Sequence, residues 1–207
     1  MTGPMNLFPM FLKLAGRRCL VVGGGCVAEG KIASLLGTGA KVIVVAPDVT
    51  DKVSWWASIG EVEWLARPFC PAELKGVSLV VAATSHPEMN DLVFREAQNR
   101  GILCNVVDDP ERCDFYYPAV LRRGQLQIAI STGGSSPALA QRLRRELEQQ
   151  FAPGYGEWLE ELGEARRHLL RTPLDENHRR RWLHRMASRE SFASFLQWRT
   201  ASGRRSS

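Results

Sequence analysis

Apolar residues in the first half of the chain come in short unbroken runs rather than in alternation. Residues 19–22, Lys41–Val45, 77–83 and 102–107 are each strand-length and bounded by glycine, proline or charge. Runs that are apolar on both faces suit parallel strands covered on both sides. Between them the spacing turns helical. Val27, Ile32, Leu35 and Leu36 form one stripe, and residues 50–58, with Trp55 and Trp56, predict a second helix. Residues 62–65 make a weak third strand, and Pro71-Ala72-Glu73-Leu74 opens a helical turn. His86-Pro87 starts a helix to about Arg100, because proline suits a first helical position, and Gly101 ends it. Strands alternating with helices predict an α/β fold with a Rossmann-like parallel sheet.

The pattern changes after residue 112. Residues 115–121 and 125–131 read as two strands of an antiparallel hairpin, separated by Arg122-Arg123-Gly124. Pro137 opens a helix to about Gln150. Residues 155–199 read as helical with one break near Thr172-Pro173. Trp158, Leu162, Leu169, Trp182, Leu183, Phe192, Phe195 and Trp198 supply its apolar stripes. The expected divisions are 1–112, 113–150 and 151–207, with a frayed tail over 201–207.

Composition narrows the class. The 207 residues are 44% hydrophobic and 24% charged, as in ordinary globular proteins, and no apolar run is long enough to span a bilayer. The first fourteen residues lack a basic leader and a small-residue cleavage site, so a signal peptide is not expected. Five scattered cysteines without paired spacing predict reduced thiols and a cytoplasmic setting. Charge is uneven. Residues 1–110 hold 5 Lys, 5 Arg and 11 acids, whereas residues 111–207 hold 17 Arg, no Lys and 11 acids. An arginine-only basic half fits carboxylate or phosphate recognition, and equally fits solvated helices of biased composition. Glutamates interleaved with those arginines argue against nucleic acid as a partner. The four histidines form no metal set.

Candidate chemistry starts at Gly23-x-Gly25-x-x-Ala28, placed between a strand and a helix as a dinucleotide fingerprint requires. Gly23 permits the turn, Gly25 admits a diphosphate, and Ala28 lets helix and strand pack closely. In open α/β sheets ligands lie beyond the carboxyl ends of the strands. That rule selects residues 23–28, Pro47-Asp48, Thr84 and the stretch containing Asn105, Val107 and Asp108. The acid expected at the end of the second strand is displaced to Asp48, which leaves NAD against NADP open. Asp108 has two readings, a general base or a turn cap before Pro110. The loop 131–136 offers amides and hydroxyls for an anion, and Ser135 or Ser136 also suits a helix cap.

These motifs together resemble the precorrin-2 dehydrogenase family, the amino-terminal module of siroheme synthase and its stand-alone relatives. The matching residues are Phe8-Pro9-Met10-Phe11, residues 22–29 with Lys31, residues 81–84, 104–110, Phe115-Tyr116-Tyr117-Pro118 and 131–138. The resemblance implies NAD-dependent oxidation of precorrin-2 to sirohydrochlorin in siroheme biosynthesis. It also implies a homodimer in which residues after about 113, the expected dimerisation region 113–150, exchange between subunits; composition and charge separately predict no membrane and no nucleic-acid partner. Carried over by position, Gly23, Gly25, Cys26 and Val27 are expected at the cofactor pyrophosphate and Pro47 and Asp48 near its ribose, and the strand-end rule adds Thr84, Asn105 and Val107 as cofactor-binding residues. By the same carry-over Asp108 is the expected catalytic base and Thr132 lies at the tetrapyrrole site. Gly133 and Ser135 of the same loop are expected at the substrate with it, and Arg142, Arg122, Arg123 and Arg145 are candidate partners for the carboxylates of such a substrate. Gly30 replaces a common arginine, and Cys26 fills the variable fingerprint position. Residues 151–207 match only in being helical. Two alternatives stay open: a bifunctional enzyme that also inserts Fe(II) into sirohydrochlorin, and a non-catalytic NAD-responsive module.

Overall fold

In the computed structural model, which describes residues 7–202, the chain forms two compact units, Met1–Tyr117 and Pro118–Ser207. The first is built on five parallel strands: β1 (Arg18–Val22), β2 (Lys41–Val45), β3 (Val62–Leu65), β4 (Leu79–Ala82) and β5 (Leu103–Val106). Their order is β3-β2-β1-β4-β5. The chain reverses direction across the sheet between β1 and β4, the switch point where doubly wound folds bind ligands.

Three helices cover the sheet: α1 (Cys26–Leu36), α2 (Asp51–Ser58) and α3 (Pro87–Gln98). One core packs Leu20, Ile43, Val80 and Cys104 against Val93 and Ala97 of α3. The other packs Val21, Val44 and Val81 against Ala28 and Ile32 of α1 and Val53 of α2. The inner strands β1, β2 and β4 therefore bury both faces, which explains their apolar runs, whereas the edge strand β3 exposes Glu63. Burying one such Val, Leu or Ile contributes about 1.5–3 kcal/mol. Val27 departs from the expected stripe, being 54% exposed at the start of α1.

The second unit holds a hairpin, β6 (Ala119–Arg123) with β7 (Leu126–Ile130), and four helices, α4 (Pro137–Gln150), α5 (Tyr155–Arg171), α6 (Glu176–Met186) and α7 (Arg189–Ala201). The hairpin turn is shorter and later than the expected Arg122-Arg123-Gly124. Arg123 pairs with Leu126, so both arginines lie in β6 and the loop is Gly124-Gln125. Gly124 has φ 55°, a sign that right-twisted two-residue hairpins require. The helical region breaks twice: beyond Thr172-Pro173, a second break falls at Ala187-Ser188. There the Ser188 hydroxyl accepts from Ser191 N at 3.2 Å and starts α7. Phe151, Tyr155, Trp158, Phe192, Phe195 and Trp198 form a chain of ring contacts. The expected frayed tail lies outside the described residues beyond Ser202. Among the described residues no helix is long and apolar enough to cross a membrane.

Glu29 ties α1 to α2. It accepts from Thr50 Oγ1 at 2.9 Å and pairs with Lys52 at 3.2 Å. The Thr50 hydroxyl, and then Lys52, hold the Glu29 carboxyl below its ordinary 4.5. A carboxyl depressed on folding stabilises above its unfolded value and loses that contribution as pH falls through the folded one. Glu29→Gln is therefore expected to melt below the wild type at neutral pH. The gap should close as pH falls below 4.5. A gap unchanged in strong acid, by calorimetry, would remove this account of the link.

Candidate functional site

The glycine turn sits where three strand ends meet. Gly23 N donates to Val45 O at 3.0 Å, and Thr50 N donates to Gly24 O at 3.0 Å. A Cβ on Gly23 would lie 2.3 Å from Ala83 O, and one on Gly24 would lie 2.3 Å from Asp48 O. Gly23 also has φ 116°, a conformation side chains rarely adopt. Gly24, an unspecified position of the Gly23-x-Gly25 fingerprint in the sequence, is thus as crowded as its neighbour. A Cβ on Gly25 meets nothing within 4 Å. The fold itself places no demand for glycine at 25. The space beside it is open, and the residues around it, 25–27, are exposed.

Gly25 is the N-cap of α1, and the first intrahelical bond runs from Glu29 N to Gly25 O at 2.9 Å. The amides of Cys26, Val27 and Ala28 therefore have no acceptor inside the helix. They lie at the positive end of the helix dipole and suit a diphosphate. Pro47 and Asp48 are exposed beside this turn, with the Asp48 backbone packed on Gly24.

Thr84 ends β4. Its backbone N donates to Asn90 Oδ1 at 3.2 Å, its hydroxyl lies 2.8 Å from the same oxygen, and Asn90 Nδ2 donates to Thr84 O at 3.1 Å. Asn90, 9% exposed, fixes this loop from α3. It carried no motif, and only the fold reveals it. Val107 N donates to Ala82 O at 2.9 Å, extending β5 towards the same edge. Asn105 is buried, and its amide nitrogen donates to Phe115 O at 2.8 Å and Cys113 Sγ at 3.2 Å. That nitrogen is engaged by the protein itself.

Asp108 follows directly. It has φ 61°, the single left-handed non-glycine among the described residues, at a cost of about 1–2 kcal/mol. It is exposed, and its carboxylate has no hydrogen bond or ion pair among those residues. The neighbouring Asp109 is occupied by Arg112 at 3.0 Å, which also pairs with Asp91 at 3.3 Å. Of the two adjacent acids, Asp108 is the one available for chemistry. Lys31 of α1 is the cation near it. Its Nζ stands 3.7 Å from the centroid of the Tyr117 ring. Burial pushes that ammonium below the usual lysine range, while Asp108 and then Cys113 oppose the shift.

In the second unit, Thr132 Oγ1 accepts from Ser136 N at 3.1 Å, and Ser135 N donates to Thr132 O at 3.0 Å. Ser136 caps α4 by accepting from Leu139 N at 3.2 Å, which leaves Ser135 exposed in the loop. Gly133 has φ 61° and Gly134 φ 82°. Arg142 is exposed on α4 and pairs with Glu146 at 3.2 Å. Arg123 has a structural partner set instead. Its Nε donates to Phe151 O at 2.8 Å and its NH2 to Glu148 O at 3.3 Å, closing the end of α4. Among the described residues no group of three His, Cys, Asp or Glu side chains is placed to hold a metal.

A broad concavity of about 700 Å³ lies at the opposite edge of the sheet, lined by Arg17, Arg18, Lys41, Glu61 and Glu63. It lies at the amino ends of the strands, remote from the glycine turn and Asp108, and its mixed charges select no ligand. The carboxyl edge is the candidate site.

The fold and this edge define a dinucleotide-binding protein of the Rossmann type. The chain belongs to the family described as "Putative NAD(P)-binding", whose model matches residues 10–119, and its cofactor is of the NAD type. A second family model, "Sirohaem biosynthesis protein central", matches residues 123–150. The chain is similar to the siroheme synthase of Chromobacterium violaceum, 46% identical over 152 residues, 73% of this chain and 32% of that protein. It is also similar to siroheme synthase 3 of Aeromonas hydrophila subsp. hydrophila, 46% identical over 144 residues, 70% of this chain and 31% of the relative. The chain thus spans about a third of the length of these relatives. Among solved structures it resembles SirC, a precorrin-2 dehydrogenase, with TM-score 0.81 and 28% identity, covering 94% of this chain and 96% of that one.

The glycines give a discriminating test. Gly25→Ala is expected to fold with wild-type thermal stability and lose at least roughly tenfold in NAD+ affinity, since its Cβ would project into the ligand's space. Gly24→Ala is expected to lower the melting temperature instead, through its clash with Asp48 O. Wild-type NAD+ binding by Gly25→Ala, measured by titration calorimetry, would contradict the placement. Asp108→Gly should melt above the wild type, because glycine relieves the left-handed strain.

Proposed function

We propose that the chain oxidises precorrin-2 to sirohydrochlorin with NAD+ in the cytoplasm, as a homodimer. One observation carries the reading: an exposed carboxylate without a partner, held in a strained conformation, stands at the same sheet edge as the open glycine turn. Strained residues of this kind cluster at functional sites. The likeness to SirC over nearly the whole chain, and to siroheme synthases over residues matched by the two family models, supports the substrate.

The residues fit the cofactor, because the amides at 26–28 and the unfilled volume beside Gly25 suit a diphosphate. When bound, NAD+ supplies the hydride acceptor. Every other task falls to the protein. Gly23, Gly25, Cys26 and Val27 hold the diphosphate, and Pro47 and Asp48 border the ribose. Thr84, Asn105 and Val107 line the strand ends leading to Asp108. Asp108 accepts the proton released as hydride leaves the substrate carbon, so the products are sirohydrochlorin, NADH and a proton. Thr132, Gly133, Ser135 and Arg142 receive carboxylates of the macrocycle, for which a guanidinium is well suited. Dimerisation is assigned to residues 113–150. The two-stranded sheet β6-β7 pairs with no further strand among the described residues, which leaves strand edges for a partner copy to use.

The test is anaerobic incubation with precorrin-2 and either NAD+ or NADP+, followed by absorbance. NADH and sirohydrochlorin are expected in equal amounts. Asp108→Asn should slow turnover by about 10²–10⁴-fold with NAD+ affinity unchanged, the usual range for a lost general base. Near-wild-type turnover by that variant would remove Asp108 from the base role. NAD+ binding without any NADH production would favour a non-catalytic module.

A further inference from the structure

The turn that presents Asp108 is closed by a thiol. Residues 113–115 run back beside β5, with Cys113 bridged antiparallel to Asn105 and Asp114 N donating to Cys104 O at 2.8 Å. Cys113 Sγ lies 3.2 Å from Val106 O and 3.1 Å from Asp109 O, the carbonyls on either side of Val107-Asp108. A thiol has one proton to share between them. Asn105 Nδ2 donates to the sulfur from the third direction, at 3.2 Å. The buried amide thus occupies a sulfur lone pair and turns the S–H towards the two carbonyls.

The amide itself is anchored by its second bond, to Phe115 O at 2.8 Å. The result is a closed set of contacts around a turn whose central residue is left-handed. A left-handed aspartate persists only where its surroundings over-determine it. Asp108 contributes nothing to that itself, since its carboxylate has no partner among the described residues.

We propose that Asn105 and Cys113 are a positioning pair that sets the direction of the Asp108 carboxylate and thereby the rate of proton transfer. The proposal rests on the reading of Asp108 as the base. It also reassigns the Asn105 side chain from cofactor contact to support of the turn. Burial pushes the Cys113 thiol up, which keeps the proton that the two carbonyls need. The thiol is therefore a hydrogen-bond donor here and not a nucleophile.

The test is a double-mutant cycle with Cys113→Ala and Asp108→Asn, read together with Cys113→Ser. Misplacement of a reacting group by about an ångström costs up to about a hundredfold, so Cys113→Ala is expected to lower kcat by roughly ten- to a hundredfold. The KM for precorrin-2 and the NAD+ affinity measured by calorimetry should stay at wild-type values. Cys113→Ser, which keeps a donor, should recover most of the rate. In the Asp108→Asn background Cys113→Ala should have no further effect, because both changes act through one carboxylate. Wild-type kcat in Cys113→Ala, or the same fold loss repeated on Asp108→Asn, would overturn the proposal. Should Cys113→Ala fail to fold, Cys113→Val keeps the volume without the donor and takes its place in the cycle. Full turnover by Asp108→Asn alone would instead overturn the base assignment, and this proposal with it.

Discussion

The close approach of backbone to backbone at Gly23 and Gly24 is the contact on which the rest of the site depends. Ala83 O and Asp48 O each occupy the space a side chain would need. That approach draws the ends of β1, β2 and β4 together and lets α1 start directly above the sheet. It also leaves Gly25 facing outward with the unpaired amides of the first helical turn beside it. Two glycines serve the fold and the third faces open space, the place proposed for the ligand, although all three look alike in a row. The same crowding that forbids a methyl group at 23 and 24 fixes the turn on which the proposed diphosphate site rests.

The opposite lip of the edge is built by polar side chains rather than by glycine. Asn90 holds Thr84, while Asn105 and Cys113 hold the turn bearing Asp108. Both asparagines are buried, and buried amides are stable only when their hydrogen bonds are made. The loops they secure are therefore tied down by hydrogen bonds, as the proposed alignment of two reactants requires. Strain at Asp108 is offset by this support. Its carboxylate remains unpaired, whereas Asp109 is drawn into the Arg112 and Asp91 pairs.

Much of this was legible in the chain because burial on both faces leaves an unbroken apolar run. Four of the strands were readable for that reason, while β3, an edge strand with Glu63 exposed, gave only a weak signal. The strand-end rule then selected Asp48, Thr84 and Asp108. The hairpin was misplaced because Arg122 and Arg123 are polar residues in a strand, and Arg123 is there to reach the carbonyls of α4. The break at Ala187-Ser188 has neither glycine nor proline to announce it, only a serine cap. Val27 read as core because its spacing fits the stripe, yet the helix turns it outward. Gly24, Asn90 and Cys113 were opaque as functional positions, since their roles consist of contacts to residues distant in sequence. Family resemblance, not spacing, supplied the proposed substrate.

The central claim is that the carboxyl edge of the sheet, at Gly25, is where the dinucleotide binds. Amide chemical shifts followed during NAD+ titration of the whole protein test it directly. The account predicts the largest changes at residues 25–28, with smaller ones at Asp48, Thr84 and Val107. Little change is expected at Arg17, Lys41 and Glu61. Changes concentrated at that amino-terminal edge, with residues 25–28 unmoved, would contradict it.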